Sequence, residues 1–223
     1  MKARSILVPA GLLTLTAVPA IAGAARLASL AAGGPVTADN ARFFAMPLPV
    51  IVHIISATTF LAVGAFQFSP GVRRRWPRWH RWAGRVLVPS GITAAAAGLW
   101  MTFFYPHPAT DDSLLPFVRL VFGSAMIACL VLGFLAVRRR DVATHRAWMM
   151  RGYAIGMGAG TQVLTAIPWI VLSGGHAATG FPRTLLLAAG WIINLAVVES
   201  VLSRRRPRGA RRGQFVNAEG VAR

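Results

Sequence analysis

Six stretches of the chain are continuous apolar runs of membrane length, separated by short polar connections. They cover residues 5–25, 48–69, 86–105, 117–137, 152–172 and 184–203. A helix needs roughly 20 predominantly apolar residues to cross the hydrocarbon core of a bilayer, and each run meets that need. Barrel strands would show alternating segments of about ten residues, a pattern these runs lack. The predicted fold is therefore all-α, an integral membrane helical bundle of six transmembrane helices. Residues 1–46 hold the first helix and an extracytoplasmic loop, 47–203 a five-helix membrane core, and 204–223 a basic cytoplasmic tail. The tail mixes Arg, Gly and Pro, a composition that predicts disorder. The first run also has a second reading: Met1 to Arg4 resembles a signal-peptide leader, and Ala20-Ile21-Ala22 a cleavage site. Its length favours a retained helix, an uncleaved signal anchor.

Charge then orients the spans. Hydrophobic residues make up 55% of the chain and charged ones 13%, yet Lys plus Arg number 24 against 6 Asp plus Glu. An ordinary soluble domain carries roughly 25% charged residues. The basic residues alternate from side to side with the spans. They crowd the N-terminus, the loops holding Arg73 to Arg85 and Arg138 to Arg151, and the tail from Arg204. Only Arg26, Arg42, Arg119 and Arg183 fall on the other side, together with Asp39, Asp111 and Asp112. Counted by the positive-inside rule, both termini are cytoplasmic. The tail is basic enough to touch nucleic acid, but no recognition fold accompanies it. Attraction to anionic headgroups, worth about 1 kcal/mol per basic residue, accounts for it. The expected partner is the lipid bilayer, with no nucleic acid. Cys129 is the only cysteine, which excludes an internal disulfide.

Few residues in this pattern can carry chemistry. His53 shares a helical stripe with Ser56, Phe60, Gly64 and Gln67, and small or polar residues on one face point into a bundle. His80, within Trp76-Pro77-Arg78-Trp79-His80-Arg81-Trp82, and His145 lie at matched depth on the basic side. Two such histidines can ligate one b-type haem, with nearby arginines on its propionates. His53, His80 and His145 are thus the haem-ligand candidates. The plainer alternative is a hydrogen-bonded His53 and a solvated interfacial pair, the tryptophans forming a membrane-interface belt. Arg73-Arg74-Arg75 with His80-Arg81 recurs 65 residues later as Arg138-Arg139-Arg140 with His145-Arg146. Either a parallel repeat or two independently basic loops produces this echo.

Gln67, Gln162, Asn194 and Glu199 are the other polar intramembrane candidates. Glu199 suits a proton carrier or, more simply, an ion pair with Arg204 or the loop arginines. Gly152, Gly156 and Gly160 form a small-xxx-small seam for close packing, within the chain or in a homo- or hetero-oligomer. His107 and His176 fall in loops. No CxxC, HExxH, Walker loop or Ser-His-Asp set points to a hydrolase or ATPase of known type, and no metal site is expected.

His53, Gly64-Ala65-Phe66-Gln67-Phe68, His80-Arg81-Trp82-Ala83-Gly84-Arg85, His145-Arg146-Ala147-Trp148-Met149 and the run from Trp191 to Glu199 together resemble a bacterial family of multi-pass predicted membrane proteins. That family is classed as a domain of unknown function, and the likeness covers about residues 47–203. It implies a prokaryotic cytoplasmic (inner) membrane and carries over no catalytic residue. The His-Arg-x-x-Gly-Arg element at a helix start is also similar, more distantly, to elements of some membrane cytochromes b.

Two functions follow as expectations for a protein whose molecular activity the sequence does not name. One is electron transfer through b-type haem, which needs His80 and His145 to face each other. The other is a small-molecule or proton-coupled transporter, or a non-enzymatic accessory subunit. Transport needs polar residues linked from His53 to Glu199, with helix breaks at Pro89 or Pro168. An accessory subunit needs the glycine seam exposed.

Overall fold

The computed structural model describes residues 2–204, so the expected tail, Arg204 excepted, lies outside the described residues. Five helices are long and apolar enough to span a membrane: α1 (Lys2–Ala31), α3 (Pro47–Ala65, extended by a 3-10 turn over Phe66–Phe68), α5 (Pro77–Phe104), α6 (Leu115–Arg138) and α9 (Gly180–Ser203). A sixth span is broken, with α7 (Val142–Gly156) and α8 (Gly158–Leu172) meeting at 47°. Two short helices, α2 (Ala41–Ala45) and α4 (Pro70–Arg75), lie in the connections. The fold is the all-α membrane bundle that the sequence predicts. Among the described residues, the one β feature is a parallel bridge between Asp111 and Gly180.

The burial pattern is that of a protein solvated by lipid. Leu172 is 87% exposed and Ile6 69%, and Leu185, Ile192 and Val197 along α9 are exposed as well. Such surfaces are stable against acyl chains and not against water. The interior is small. Phe60, Leu61, Leu87, Met126, Leu130, Tyr153 and Ile155 pack together between α3, α5, α6 and α7. Tyr153 donates its hydroxyl proton to the Leu61 carbonyl at 2.7 Å, and its ring lies over Gly64, where a Cβ would collide with it. Phe60 and Gly64, two members of the His53 stripe, are thus core residues.

The sequence predicts one span over 152–172, and the transport expectation looks for helix breaks at Pro89 or Pro168; the structure places the break elsewhere. α5 runs through Pro89 and α8 through Pro168. The interruption is at Met157, between Gly156 and Gly158. Glycines weaken a helix by roughly 1 kcal/mol each, and glycine-rich points are where helices bend. A break frees backbone groups that lipid cannot satisfy. Asn194 of α9 answers this directly, donating its Nδ2 proton to the Ala154 carbonyl at 3.1 Å.

At the opposite turn the chain is tight. Residues 139–141 join α6 to α7, with Arg140 in the left-handed region at φ 63°. Asp141 caps α7 by accepting from the Thr144 amide at 3.0 Å, and hydrogen bonds from Thr144 hold its carboxyl below the usual carboxylate range. Trp76 and Trp82 are exposed at this basic end, with the Arg75 and Arg85 guanidiniums over their rings. Such residues seat at the headgroup level.

Candidate functional site

The histidines and amides singled out by the sequence fall into separate groups. Two of them meet in a cavity of about 550 Å³, the size range of small-molecule sites. It opens between α1, α3, α5, α6, α8 and α9 towards the end of the bundle away from the arginine-rich loops. Its walls are mostly apolar, with Ile54, Phe60, Leu99, Met126, Leu187 and Trp191 among them, and they carry His53 and Gln162.

Both polar groups are oriented by backbone. His53 Nδ1 is 2.8 Å from the Ala94 carbonyl oxygen. A carbonyl can only accept, so Nδ1 carries the proton and Nε2 presents a lone pair. The ring rests on Gly98, where a Cβ would stand 3.3 Å from its Cε1. Gln162 donates its Nε2 proton to the Leu187 carbonyl at 2.9 Å, which leaves Oε1 as its other polar atom. The two groups thus offer an acceptor each, His53 Nε2 and Gln162 Oε1, beside the second Nε2–H of Gln162.

The mouth of the cavity is built by residues that the sequence reading treats only as side-counting charges. Asp111 lies in the α5–α6 connection, pinned by its bridge to Gly180 and by the Gly180 amide donating to Thr110 at 2.9 Å. Its carboxylate is only 1% exposed and takes Arg183 Nε on one oxygen at 2.9 Å and Arg119 Nη1 on the other at 3.0 Å. A third arginine, Arg42 of α2, lines the same mouth and donates to the Pro106 carbonyl at 3.3 Å. Burial pushes the Arg42 guanidinium below its ordinary value, Asp111 opposes this, and Arg119 adds to it. The Arg42 and Arg26 guanidiniums both lie over the Phe43 ring, at 4.7 and 4.8 Å from its centre. The available signal was Arg119, a cation inside an apolar run, where a charge has to find a buried partner.

The remaining candidates lie elsewhere. His145 Nδ1 is 2.8 Å from the Gly133 carbonyl, so Nδ1 carries a proton and Nε2 is the other ring nitrogen. His80, half-buried in the first turn of α5, leaves its buried Nδ1 without a partner among the described residues. It is within electrostatic reach of Arg73, Arg81 and His145. α6 packs against both helices, so the two histidines stand on elements that are not each other's main neighbours. Gln67 is carried by the 3-10 turn rather than by α3, a correction to the stripe, and its Nε2 is buried without a partner among the described residues. Among the described residues, no group of three or more His, Cys, Asp or Glu is placed to hold a metal ion.

Asn194 and Glu199 do not continue the cavity towards the basic end. Asn194 accepts from the Thr161 hydroxyl at 2.8 Å and braces the break. Glu199 forms a two-pronged ion pair with Arg151, at 2.6 and 3.0 Å. Among the described residues the polar path from His53 towards Glu199 expected from the sequence is closed at the basic end in this structure, where Asn194 satisfies backbone and Glu199 pairs with Arg151. The Glu199 side chain is 53% exposed, so Glu199→Gln should cost no more than about 1 kcal/mol by thermal unfolding in detergent. The glycine seam is filled from inside the chain. Gly152 meets Leu130, Gly156 meets Phe60, and Gly160 meets the Leu15 backbone of α1.

No curated protein and no solved structure matches the chain. The family described as "Predicted membrane protein (DUF2306)" matches residues 50–202, from the first turn of α3 to the last turn of α9. Five of the six spans, and every wall of the cavity except those from α1 and α2, fall within this match; the chain is a member of that family of multi-pass membrane proteins.

Proposed function

We propose that the chain is a small-molecule transporter of a prokaryotic cytoplasmic membrane, with both termini inside and its binding site in the cavity at the outer end. One observation carries the reading: the cavity lies against the break in the α7–α8 span, with Ile155, Gly156 and Ala159 among its walls. Broken helices beside a polar pocket are the arrangement by which transporters hold substrate. The excess of arginine on the loops at the other end supports the orientation.

Cysteine labelling tests this directly. Cys129 is the single cysteine and is buried, so the wild-type protein serves as the unreactive control. Ala57→Cys, on the cavity wall, should react with a membrane-impermeant maleimide added to intact cells. Reaction only in inside-out vesicles would reverse the orientation, and reaction in neither would remove the cavity as a site.

A second reading, b-type haem between His80 and His145 with His53 nearer the outer face, is favoured by the fixed tautomer of His145. An imidazole whose Nδ1–H is held by a backbone carbonyl is set to ligate iron through Nε2. A reduced-minus-oxidised spectrum of the purified protein, from cells supplied with haem precursor, should then show a sharp band that His145→Ala removes. A flat spectrum from folded protein ends this reading.

A further inference from the structure

The mouth of the cavity has more positive charge than its own carboxylate can balance. Arg42, Arg119 and Arg183 all line it, and Asp111 is the one acid in the lining. Asp111 is already shared between Arg119 and Arg183, while Arg42 touches a backbone carbonyl and the Phe43 ring and has only Asp39 and the shared Asp111 as acids within electrostatic reach among the described residues. Guanidiniums gathered around a partly desolvated pocket repel one another unless an anion joins them. Below the arginines the walls are mostly apolar, with His53 Nε2 and Gln162 Oε1 as acceptors among them.

We propose that the cavity takes an amphipathic organic anion, its carboxylate or phosphate head held by Arg42, Arg119 and Arg183 and its apolar body lying along Leu99 and Trp191. This assignment rests on the transport reading above and names its substrate class. The charges select the ligand. A cation at the mouth meets three positive groups, and a neutral amphiphile forfeits charge-assisted hydrogen bonds that an anion gains. The planar forks of arginine suit either kind of head. A ligand that also carries a hydroxyl or N–H on its body gains a bond to His53 Nε2, whose lone pair the Ala94 contact fixes. The same head chemistry belongs to a free fatty-acid-like anion and to an anionic lipid, so the experiment separates them.

The full chain carrying Ala57→Cys is placed in phosphatidylcholine nanodiscs, and its maleimide labelling rate is followed with octanoate or octanol. Octanoate should slow labelling at a concentration at least about tenfold below that required of octanol, since one charge-assisted contact is worth a factor of ten or more. Adding Arg42→Gln should raise the octanoate requirement about tenfold and leave the octanol value unchanged, and that unchanged value shows the cavity intact. Arg42→Lys should recover part of the loss. Phosphatidylglycerol in the nanodisc that slows labelling, by an Arg42-dependent effect octanoate cannot add to, assigns the head to lipid. Equal protection by octanol and octanoate, or no effect of Arg42→Gln, overturns the anion assignment while leaving the cavity as a site. If the Ala57→Cys protein is never labelled, with or without these ligands, the transport reading falls and this assignment with it.

Discussion

Asp111→Ala should be the most damaging single substitution outside the apolar core, lowering stability by about 3–5 kcal/mol. The carboxylate is 1% exposed and neutralises two guanidiniums that reach it from different spans, Arg119 of α6 and Arg183 of α9. Its removal strands both cations and leaves Arg42 beside them with no local anion in the lining. Breaking a buried pair costs more than the pair contributes, because the surviving charge stays desolvated. Arg183→Gln should cost much less. Arg183 is 35% exposed, and Asp111 keeps Arg119. Thermal unfolding in detergent measures both variants. An Asp111→Ala protein within about 1 kcal/mol of wild type would show that the cluster is solvated and not structural.

Gly160→Val is the second large effect, expected to cost about 1–3 kcal/mol. A Cβ on Gly160 collides with the carbonyl of Leu15, part of the α1 backbone, so no side-chain rotation relieves it. Relief requires α8 to separate from α1, which also disturbs buried Thr16 and its contact with Met157 Sδ at 3.9 Å. Gly11→Ala in α1 is the matched control. Nothing lies within 4 Å of its Cβ position, and a helix gains roughly 0.5–1 kcal/mol from that change. The two variants should therefore move the unfolding midpoint in opposite directions, and equal shifts would refute the close α1–α8 contact.

The spans were legible in the sequence because lipid imposes one demand, a long apolar run with its backbone bonded internally, and residues 48–69 or 117–137 meet it without help from neighbours. The pairing of Glu199 with one of the arginines near the basic end was legible for a related reason, since an acid in a span needs a cation within reach, and Arg151 in α7, the first half of the broken span, meets it. The break at Met157 was hidden. Pro89 and Pro168 carry the stronger local signal for interruption, yet both continue their helices, and the bend depends on what Asn194 can satisfy from a distant helix. Half of the site was hidden likewise. His53 and Gln162 stood out as polar residues in apolar runs. Nothing in the spacing of Arg42, Asp111, Arg119 and Arg183 shows that loops far apart in the chain converge on one carboxylate.

The α6–α7 turn has a mechanical consequence. With Arg140 in the left-handed region and His145 closed onto Gly133, α6 and α7 form a clasped hairpin. Beyond Met157 the chain has other attachments: Gln162 and Thr165 bond to carbonyls of α9, and Gly160 seats on α1. The broken span is thus two short rods that share α9 as a neighbour, while the α6 clasp belongs to the first rod and the α1 seat to the second. With a joint at Met157 and separate anchors on α6 and α1, the two rods meet at 47° and need not tilt as one body.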